Sequence, residues 1–315
     1  MKRLQEKYRY VFGPVPSRRF GRSLGIDLIP FKTCTYDCIY CQLGKTSNKT
    51  LQREAYVPAL TVLEEVRQKL QAGARPDYIT FSGSGEPTLN TDIGFLIREI
   101  KKLSDVPVLV LTNGSLLSIP EVREELKPAD IVSPSLDAGD EAMFQRINRP
   151  HPGIVFQEMV DGLVAFRESF AGQIWLEVFL IDGLNASEPE VVKILSHLQR
   201  IRAEKIQLNT AVRPTAERSA LEVPAERMLE FCEIIGPKAE IIAPVSLASL
   251  PEDTGTTSRM VLDFLQRRPA TLDDLASGMR LNANEALKHI TLLKSLGSIE
   301  EVMRKGRLYF VASRE

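Results

Sequence analysis

The chain has 315 residues, enough for one large domain and a small one. Hydrophobic residues make up 43% and charged residues 26%, which is ordinary for a globular protein. The formal net charge of −1 excludes a polycation, so contact with nucleic acid would depend on local patches. The sequence has no run of about 18 apolar residues, which excludes a transmembrane helix. No apolar h-region follows the charged residues 1–7, so we expect no signal peptide and a cytoplasmic protein without membrane contact.

Short apolar runs alternate with amphipathic helical patterns through most of the chain. The predicted strands are residues 23–29, 78–81, 106–111, 131–133, 174–180 and 205–208. The predicted helices are residues 62–70, with Thr61 as cap and Gly73 as stop, and residues 93–103, 190–201 and 225–235. Repeated strand-then-helix units predict parallel strands with right-handed crossovers. The units are too few for a closed eight-stranded barrel, so we expect a partial (β/α)6 barrel, with an open doubly wound sheet as the alternative.

The pattern changes near residue 244, where proline, glycine, serine and threonine become frequent. We therefore predict a large first domain at 1–245, a linker at 246–257 and a second domain at 258–315. Helical patterns at 260–265, from Thr271 onward and at 284–293 precede a hairpin pattern. Thr271 and Asp274 have the spacing of a capping box. Three helices followed by a two-stranded wing resemble a winged-helix domain.

This second domain carries charges of both signs, which leaves two interpretations open. A nucleic-acid surface is favoured by its cations, which are Arg280, Lys288, Lys294, Arg304, Lys305 and Arg307. A packing or protein-partner surface is favoured by its carboxylates, which are Asp273, Asp274, Glu285, Glu300 and Glu301.

Three of the four cysteines, Cys34, Cys38 and Cys41, lie within eight residues at the spacing C-x3-C-x2-C. Thiolates this close converge on one inorganic centre. A four-iron cluster normally takes four thiolates, so a site with three leaves one iron open to another ligand. A structural zinc site needs four protein ligands, and the histidines are scattered. Disulfides are not expected in a reducing compartment, and Cys232, in an apolar helical pattern, is predicted to be a buried core thiol.

Tyr40 directly precedes Cys41, so the loop reads C-x3-C-x-aromatic-C and resembles the cluster loop of the radical S-adenosylmethionine (SAM) superfamily. The resemblance implies a [4Fe-4S] cluster on the three cysteines, with the SAM amino and carboxylate groups on the open iron. It implies reductive cleavage of SAM to methionine and a 5′-deoxyadenosyl radical that abstracts a hydrogen atom. A flavodoxin- or ferredoxin-type protein would supply the electron. The family fold is the same partial barrel.

Polar side chains follow several predicted strands, at the strand ends where (β/α) barrels carry their active sites. The segment Ser84-Gly85-Glu86-Pro87 resembles the family's Gly-Gly-Glu-Pro motif, which binds the SAM amino group, with a serine in place of the first glycine. The alternative for such residues is ordinary turn chemistry. The candidate SAM-binding residues are Tyr40, Ser84, Gly85, Glu86, Asn113, Ser135 and Asp137.

Other charged residues near predicted strand ends are candidates for substrate contact, because guanidinium groups grip phosphate and carboxylate. They are Arg18, Arg19, Arg22, Glu177, Arg149, His151 and Arg213. Solvated loops are the alternative for the arginines. Glu177 interrupts an apolar strand, so it is either a ligand contact or a paired, buried carboxylate.

The segments Pro-Ser-Arg-Arg, Ser-Gly-Glu-Pro, Pro-Ser-Leu-Asp and Asn-Arg-Pro-His, together with the cluster loop, resemble the radical SAM Fe–S oxidoreductases related to wyosine synthetases. Those synthetases rebuild a guanine of tRNA, and the resemblance spans residues 10–244. It implies RNA as the first candidate substrate, then a protein or peptide, then a small metabolite. Known wyosine enzymes have additional cysteines for a second cluster, which are absent here. A redox-sensing DNA-binding regulator is the alternative from another functional class, but the set of strand-end residues favours an enzyme.

Overall fold

The computed structural model describes residues 8–17, 19–242, 258–279, 281 and 283–313. Its strands are β1 (Val11–Ser17), β2 (Gly21–Ile26), β3 (Thr33–Cys34), β4 (Asn48–Lys49), β5 (Tyr78–Phe81), β6 (Val108–Thr112), β7 (Ile131–Pro134), β8 (Gln173–Leu180), β9 (Lys205–Thr210), β10 (Ala239–Ile241), β11 (Ile299–Arg304) and β12 (Arg307–Ala312). Its helices are α1 (Ala59–Gln71), α2 (Ile93–Leu103), α3 (Pro120–Leu126), α4 (Glu141–Ile147), α5 (Phe156–Ser169), α6 (Glu188–Ile201), α7 (Ala225–Ile235), α8 (Ser258–Arg267), α9 (Leu272–Met279) and α10 (Ala283–Ser295). The candidate Arg18, the cation Arg280 and the predicted linker at 246–257 lie outside the described residues.

Eight of the described strands form one sheet in the order β1-β2-β5-β6-β7-β8-β9-β10. From β2 to β10 neighbouring strands are parallel and follow one another in the chain, with α1 to α7 in their connections. A doubly wound sheet would reverse its strand order partway along. The sequential order instead matches a barrel wall, so the predicted partial barrel is confirmed.

The sequence predicts six strands of this sheet and misses the two at its edges. β1 pairs antiparallel with β2 and contains Pro14 and Pro16. Proline cannot donate to a strand ladder, so it weakens the strand signal and is tolerated only at an edge such as this one. β10 has three residues, which is too short for a periodic pattern to register.

The helices pack apolar stripes against the outer face of the sheet. α2 occupies the predicted residues and buries Ile93, Leu96, Ile97 and Ile100, one helical face. Each such side chain contributes roughly 1.5–3 kcal/mol on burial. α1 differs from its prediction, because it begins at Ala59 after Pro58 and Thr61 lies inside the helix. None of the described helices has the length and apolarity needed to cross a membrane.

Aromatic residues fill the inside of the barrel at the end where the strands begin. Phe20, in the turn from β1 to β2, is buried and stacks on Trp175 with ring centroids 5.8 Å apart. Tyr78 meets the Phe20 ring edge-on at 6.2 Å, and Leu109 and Ile131 belong to the same cluster. This layer forms an apolar floor, so open space inside the barrel lies toward the carboxyl ends of the strands.

Residues 258–279, 281 and 283–313 form a C-terminal unit with its own core. Its helices α8, α9 and α10 and the hairpin of β11 and β12 fall where the sequence predicts them. Phe264, Leu275 and Phe310 lie in that core. The predicted capping box is present, since the amide of Asp274 donates to Thr271 Oγ1 and the amide of Thr271 to Asp274 Oδ2, both at 3.1 Å.

The hairpin tip of the C-terminal unit contacts the barrel. Arg304 donates to the carbonyl oxygens of Arg213 and, at 2.8 Å, of Ala220. Lys305 pairs with Glu222 at 3.1 Å. Two of the three predicted wing cations, Arg304 and Lys305, therefore contact the barrel, which favours the packing interpretation.

Candidate functional site

The three clustered cysteines line a cavity of about 400 Å³ at the carboxyl ends of the barrel strands. This volume lies in the range of small-molecule sites. Each sulfur accepts a hydrogen bond from a different side chain: Asn113 Nδ2 to Cys34 (3.6 Å), Asn148 Nδ2 to Cys38 (3.6 Å) and Lys32 Nζ to Cys41 (3.2 Å). The fourth cysteine, Cys232, lies half-buried in α7 with its sulfur 3.3 Å from the carbonyl oxygen of Ala239.

The last residue of α4 and the loop after it hold the cysteine loop through the backbone. The amide of Ile39 donates to the carbonyl of Ile147 at 3.0 Å, and that of His151 to the carbonyl of Thr35 at 2.8 Å. The His151 ring instead accepts from the backbone of its own turn, and Arg149 pairs with Glu217. These two substrate candidates do not line the cavity, and their segment supports the cysteine loop.

The environment of the thiols fits an iron–sulfur cluster. Burial raises the pKa of Cys34 to about 12, with a further increase from the Glu86 carboxylate. Burial also raises the pKa of Cys38 well above its usual value, and Asp137 adds to it. Thiolates in such a site require adjacent positive charge, which bound iron supplies. Among the described residues, no group of three His, Cys, Asp or Glu converges on one ion, and a cluster with one thiolate per iron does not require such convergence.

The segment after β5 packs its backbone closely against the backbone of the cysteine loop. A Cβ atom on Gly85 would lie 1.8 Å from the carbonyl oxygen of Thr33, so only glycine lets this segment pack against the cysteine loop. The buried Glu86 carboxylate accepts from Thr112 Oγ1 at 2.6 Å and from the amide of Asn113 at 2.7 Å. Burial raises the pKa of Glu86 and these hydrogen bonds oppose the increase. Glu86 thereby joins the ends of β5 and β6.

Two predicted cofactor contacts turn away from the cavity. Ser84 bonds to Asp27 through its backbone and side chain, and it is not a lining residue. Asp137 is buried and accepts from Tyr40 Oη at 2.5 Å and the amide of Phe179 at 2.9 Å. Burial raises the Asp137 pKa to about 6, against the effect of its hydrogen bonds. Asp137 therefore positions Tyr40, whose ring stacks on Phe179 with centroids 4.0 Å apart.

A polar layer lies between the cysteines and the aromatic floor. Glu177 pairs with Arg19 at 2.8 Å and accepts from Asn209 Nδ2 at 2.8 Å, so it is a paired carboxylate, and its contact with substrate stays a prediction. All three residues line the cavity, as do Ser133 and Ser135. Ser133 Oγ is buried and has no hydrogen-bond partner among the described residues, so this layer has capacity for a polar ligand.

The remaining arginine candidates lie at opposite ends of the barrel. Arg22 is at the start of β2, where its amide donates to Asp77 at 2.6 Å, and it does not line the cavity. Arg213 lines the cavity and is buried, with Nη2 3.4 Å from Asp274 of the C-terminal unit.

Several residues around the site were not predicted from sequence. Lys32 and Asn148 contact cysteine sulfurs, and both lie in or beside motifs that the sequence singles out. The sequence marks Asp27 only weakly as a site residue, by its charge at the end of an apolar strand. Arg267 ends α8 yet lines the cavity, 240 residues beyond its partner Asp27, and no local pattern marks it.

Comparisons with known proteins give the family. Residues 28–195 match the model of the radical SAM superfamily. A "UPF0026 protein" of Helicobacter pylori strain J99 is 34% identical over 94% of this chain and 98% of its own length. A "GTPase Obg" of Brachyspira hyodysenteriae is 38% identical over 98% of this chain, but the chain spans only 46% of that relative. The crystal structure of a radical SAM methyltransferase from Sphaerobacter thermophilus has a TM-score of 0.51 and 18% identity, covers 70% of this chain and 65% of that one, and supports the fold.

The superfamily match covers more than half of the chain, and the Helicobacter relative covers almost all of it. Radical SAM enzymes use a [4Fe-4S] cluster and SAM, and they need a reductant. The chain therefore belongs to the radical SAM superfamily of iron–sulfur enzymes and, within it, to the UPF0026 proteins.

Proposed function

We propose that Cys34, Cys38 and Cys41 hold one [4Fe-4S] cluster, and that the enzyme abstracts a hydrogen atom from a substrate in the adjoining cavity. Bound cluster and SAM supply the chemistry: one-electron cleavage to methionine and a 5′-deoxyadenosyl radical. The observation that carries the proposal is that three thiols line one cavity at the strand ends while the fourth cysteine lies in α7. A flavodoxin or ferredoxin is the proposed reductant.

The protein's own residues tune and shelter this site. Asn113, Asn148 and Lys32 donate to the cysteine sulfurs, and such hydrogen bonds adjust the potential of an iron–sulfur centre. Gly85 lines the cavity beside the cysteines, where its backbone is proposed to meet the SAM amino group, and Tyr40, Asn113 and Ser135 line the same cavity. The aromatic floor limits access of water from below, as radical chemistry requires.

The charges of the cavity support an anionic substrate. Its charged lining, within the described residues, consists of Arg19, Arg213, Arg267, Arg268, Glu86 and Glu177. Arg19, Arg213 and Arg267 each pair with a carboxylate of this chain, so a phosphate or carboxylate of the substrate would bind by sharing or replacing these partners. RNA is the first candidate, given the resemblance to wyosine synthetases, and a protein or peptide is the second. An RNA base would have to enter unstacked from its strand.

Residues 258–315 are proposed to form a winged-helix domain that follows the catalytic domain at 1–245 and the linker at 246–257. The support is the observed order of α8, α9, α10 and the β11–β12 hairpin. Its wing packs on the barrel through Arg304 and Lys305. This arrangement favours a role within the enzyme over a free DNA-reading head.

The relative named as a GTPase suggests no GTPase activity for this chain. Gly44, Lys45 and Thr46 match the end of the phosphate-binding sequence G-x4-G-K-[ST]. Ile39 stands where that sequence has its first glycine, so the loop that cradles phosphates is incomplete.

The test is anaerobic reconstitution followed by reduction with dithionite or a flavodoxin system. We expect about four irons per chain and release of methionine and 5′-deoxyadenosine. Cys38→Ala should lose the cluster, whereas Cys232→Ala, the matched control, should retain iron and sulfide. Stimulation of 5′-deoxyadenosine formation by RNA, peptide or small-molecule fractions then identifies the substrate class. A fully loaded protein that forms no 5′-deoxyadenosine with any fraction contradicts the proposal.

A further inference from the structure

The serine that replaces the first glycine of the SAM-binding motif has a specific partner. Ser84 is buried, its amide donates to Asp27 Oδ1 at 3.1 Å, and its hydroxyl bonds to Asp27 Oδ2. Gly83 has φ +133°, and a Cβ atom there would lie 2.6 Å from Asp27 Cγ. Glycine at 83 therefore admits the Asp27 carboxylate, and serine at 84 binds it.

Asp27 also contacts α8. Arg267 Nη1 lies 2.7 Å from Asp27 Oδ2 and 3.3 Å from Ser84 Oγ. The Arg267 guanidinium stacks over the Phe12 ring at 4.1 Å. The Arg267 and Asp27 side chains are only 22% and 10% exposed, so screening by solvent is limited and the pair is stronger than a surface pair.

The same short segment continues into the cavity. Ser82, Gly83, Gly85 and Glu86 line it, while Ser84 faces the opposite way toward Asp27. The backbone of residues 82–86 is thus anchored on one side to the C-terminal unit and exposed on the other to the site. Glycine at position 84 would have no side chain with which to complete this contact.

We propose that Arg267 is a positioning residue: acting through Asp27 and Ser84, it fixes the backbone of residues 82–86 and couples docking of the C-terminal unit to SAM binding. The inference rests on the proposed function, because it assigns SAM to the cavity face of this segment. The C-terminal unit thereby contributes to the cofactor site without supplying a cluster ligand. The serine at position 84 couples the two sites, because its hydroxyl links the cavity segment to Asp27 and Arg267.

The first measurement needs no cofactor. Amide hydrogen exchange of residues 82–86 in the cluster-free protein should be about tenfold faster in Arg267→Gln and Asp27→Asn than in wild type, a typical coupling magnitude. Arg267→Lys should restore much of the protection. Arg259→Gln is the matched control, because Arg259 lies on the same helix and pairs with Asp263 at 2.8 Å. It should leave exchange in residues 82–86 unchanged.

The second measurement is SAM affinity of the reconstituted protein, read as the change in the EPR spectrum of the reduced cluster on SAM titration. Arg267→Gln should raise the SAM Kd about tenfold, and combining it with Asp27→Asn should add little further. Unchanged Kd and exchange in both variants would overturn the inference. If wild type binds no SAM, the proposed function fails, while the exchange data still decide whether Arg267 holds the segment.

Discussion

The ammonium group of Lys32 lies 3.2 Å from the sulfur of Cys41, inside the loop that carries the cysteines. Lys32 has φ 61°, a left-handed conformation that is uncommon for a residue with a side chain. It is buried, so its charge acts on the adjacent thiolate through a medium of low dielectric constant. The contact gives Lys32 a role in setting the charge of the cluster site.

Lys32→Met should lower the reduction potential of the cluster, because a nearby cation favours the reduced, more negative state. We expect a shift of about 60 mV or more, which corresponds to a tenfold change in a one-electron equilibrium. EPR-monitored redox titration measures it. Lys45→Met, an exposed lysine nearby in the sequence, is the control and should leave the potential unchanged. Equal potentials in wild type and Lys32→Met would contradict the assignment.

Gly85→Ala should prevent cluster assembly. Its new Cβ atom would lie 1.8 Å from the Thr33 carbonyl oxygen, so the segment would have to move away from the cysteine loop. Iron and sulfide content after reconstitution is the measurement, and we expect most of both to be lost. Gly73→Ala meets no atom within 4 Å and costs only its left-handed conformation, about 1 kcal/mol, so it should retain the cluster.

Asp137 should make the stability of the cluster-free protein depend on pH. Burial raises its folded-state pKa to about 6 from 3.8, so the neutral carboxyl stabilises the fold below the lower value. That contribution is lost as pH rises through about 6, and it amounts to about 2–3 kcal/mol. Urea unfolding between pH 4 and 7 should show wild type losing stability relative to Asp137→Asn.

Asp140 provides a control, because its contribution to stability should change with pH in the opposite direction. Its hydrogen bond from Lys193 lowers its pKa, so its contribution is present at higher pH and is lost as pH falls. Asp140→Asn should therefore become relatively more stable toward acid pH. A flat difference between wild type and Asp137→Asn across the range would show that Asp137 is not buried as described.

The hairpin tip should contribute to docking more than to nucleic-acid binding. Arg304→Ala removes donors to two barrel carbonyls and should lower the thermal midpoint, whereas Arg307→Ala, an exposed neighbour that contacts Tyr309 of the same hairpin, should lower it less. If tRNA binds, each neutralised phosphate adds roughly 0.7–0.9 to the log–log salt slope. We expect Arg307→Ala to reduce the salt slope by the amount that one phosphate contact contributes, at most. If replacing all three tip cations reduces the slope by the amount of two or three phosphate contacts, the wing binds nucleic acid.

Sequence patterns correctly predicted the helices and loops that are determined by residues close together in the chain. α2 and α7 have their predicted bounds because their apolar stripes and the adjacent breakers lie within a few residues. The cysteine loop was readable from the spacing of its three cysteines, whereas the Gly85 turn was singled out by its resemblance to the Gly-Gly-Glu-Pro motif. Thr61 was wrong as a cap because Pro58 lets the helix begin earlier.

Contacts between distant segments could not be predicted in this way. Arg267 and Asp27 are separated by 240 residues, and neither residue type nor spacing links them. Ser84 and Asp137 were predicted as cofactor contacts because they follow strands at the correct edge. Their orientation away from the cavity depends on partners elsewhere, Asp27 and Tyr40, which only the folded chain brings close.

Because residues 147–151 support the cysteine loop, the loop can take its final conformation only after these residues have been synthesised. Asn148, which donates to Cys38, follows it by 110 residues in the chain. On the ribosome the thiols therefore emerge long before the segment that holds their loop in shape. Until that segment has emerged, the loop that carries the thiols has no fixed conformation and the thiols are accessible to oxidants. A fully supported cysteine loop therefore requires the first five of the eight strands of the sheet to have been made.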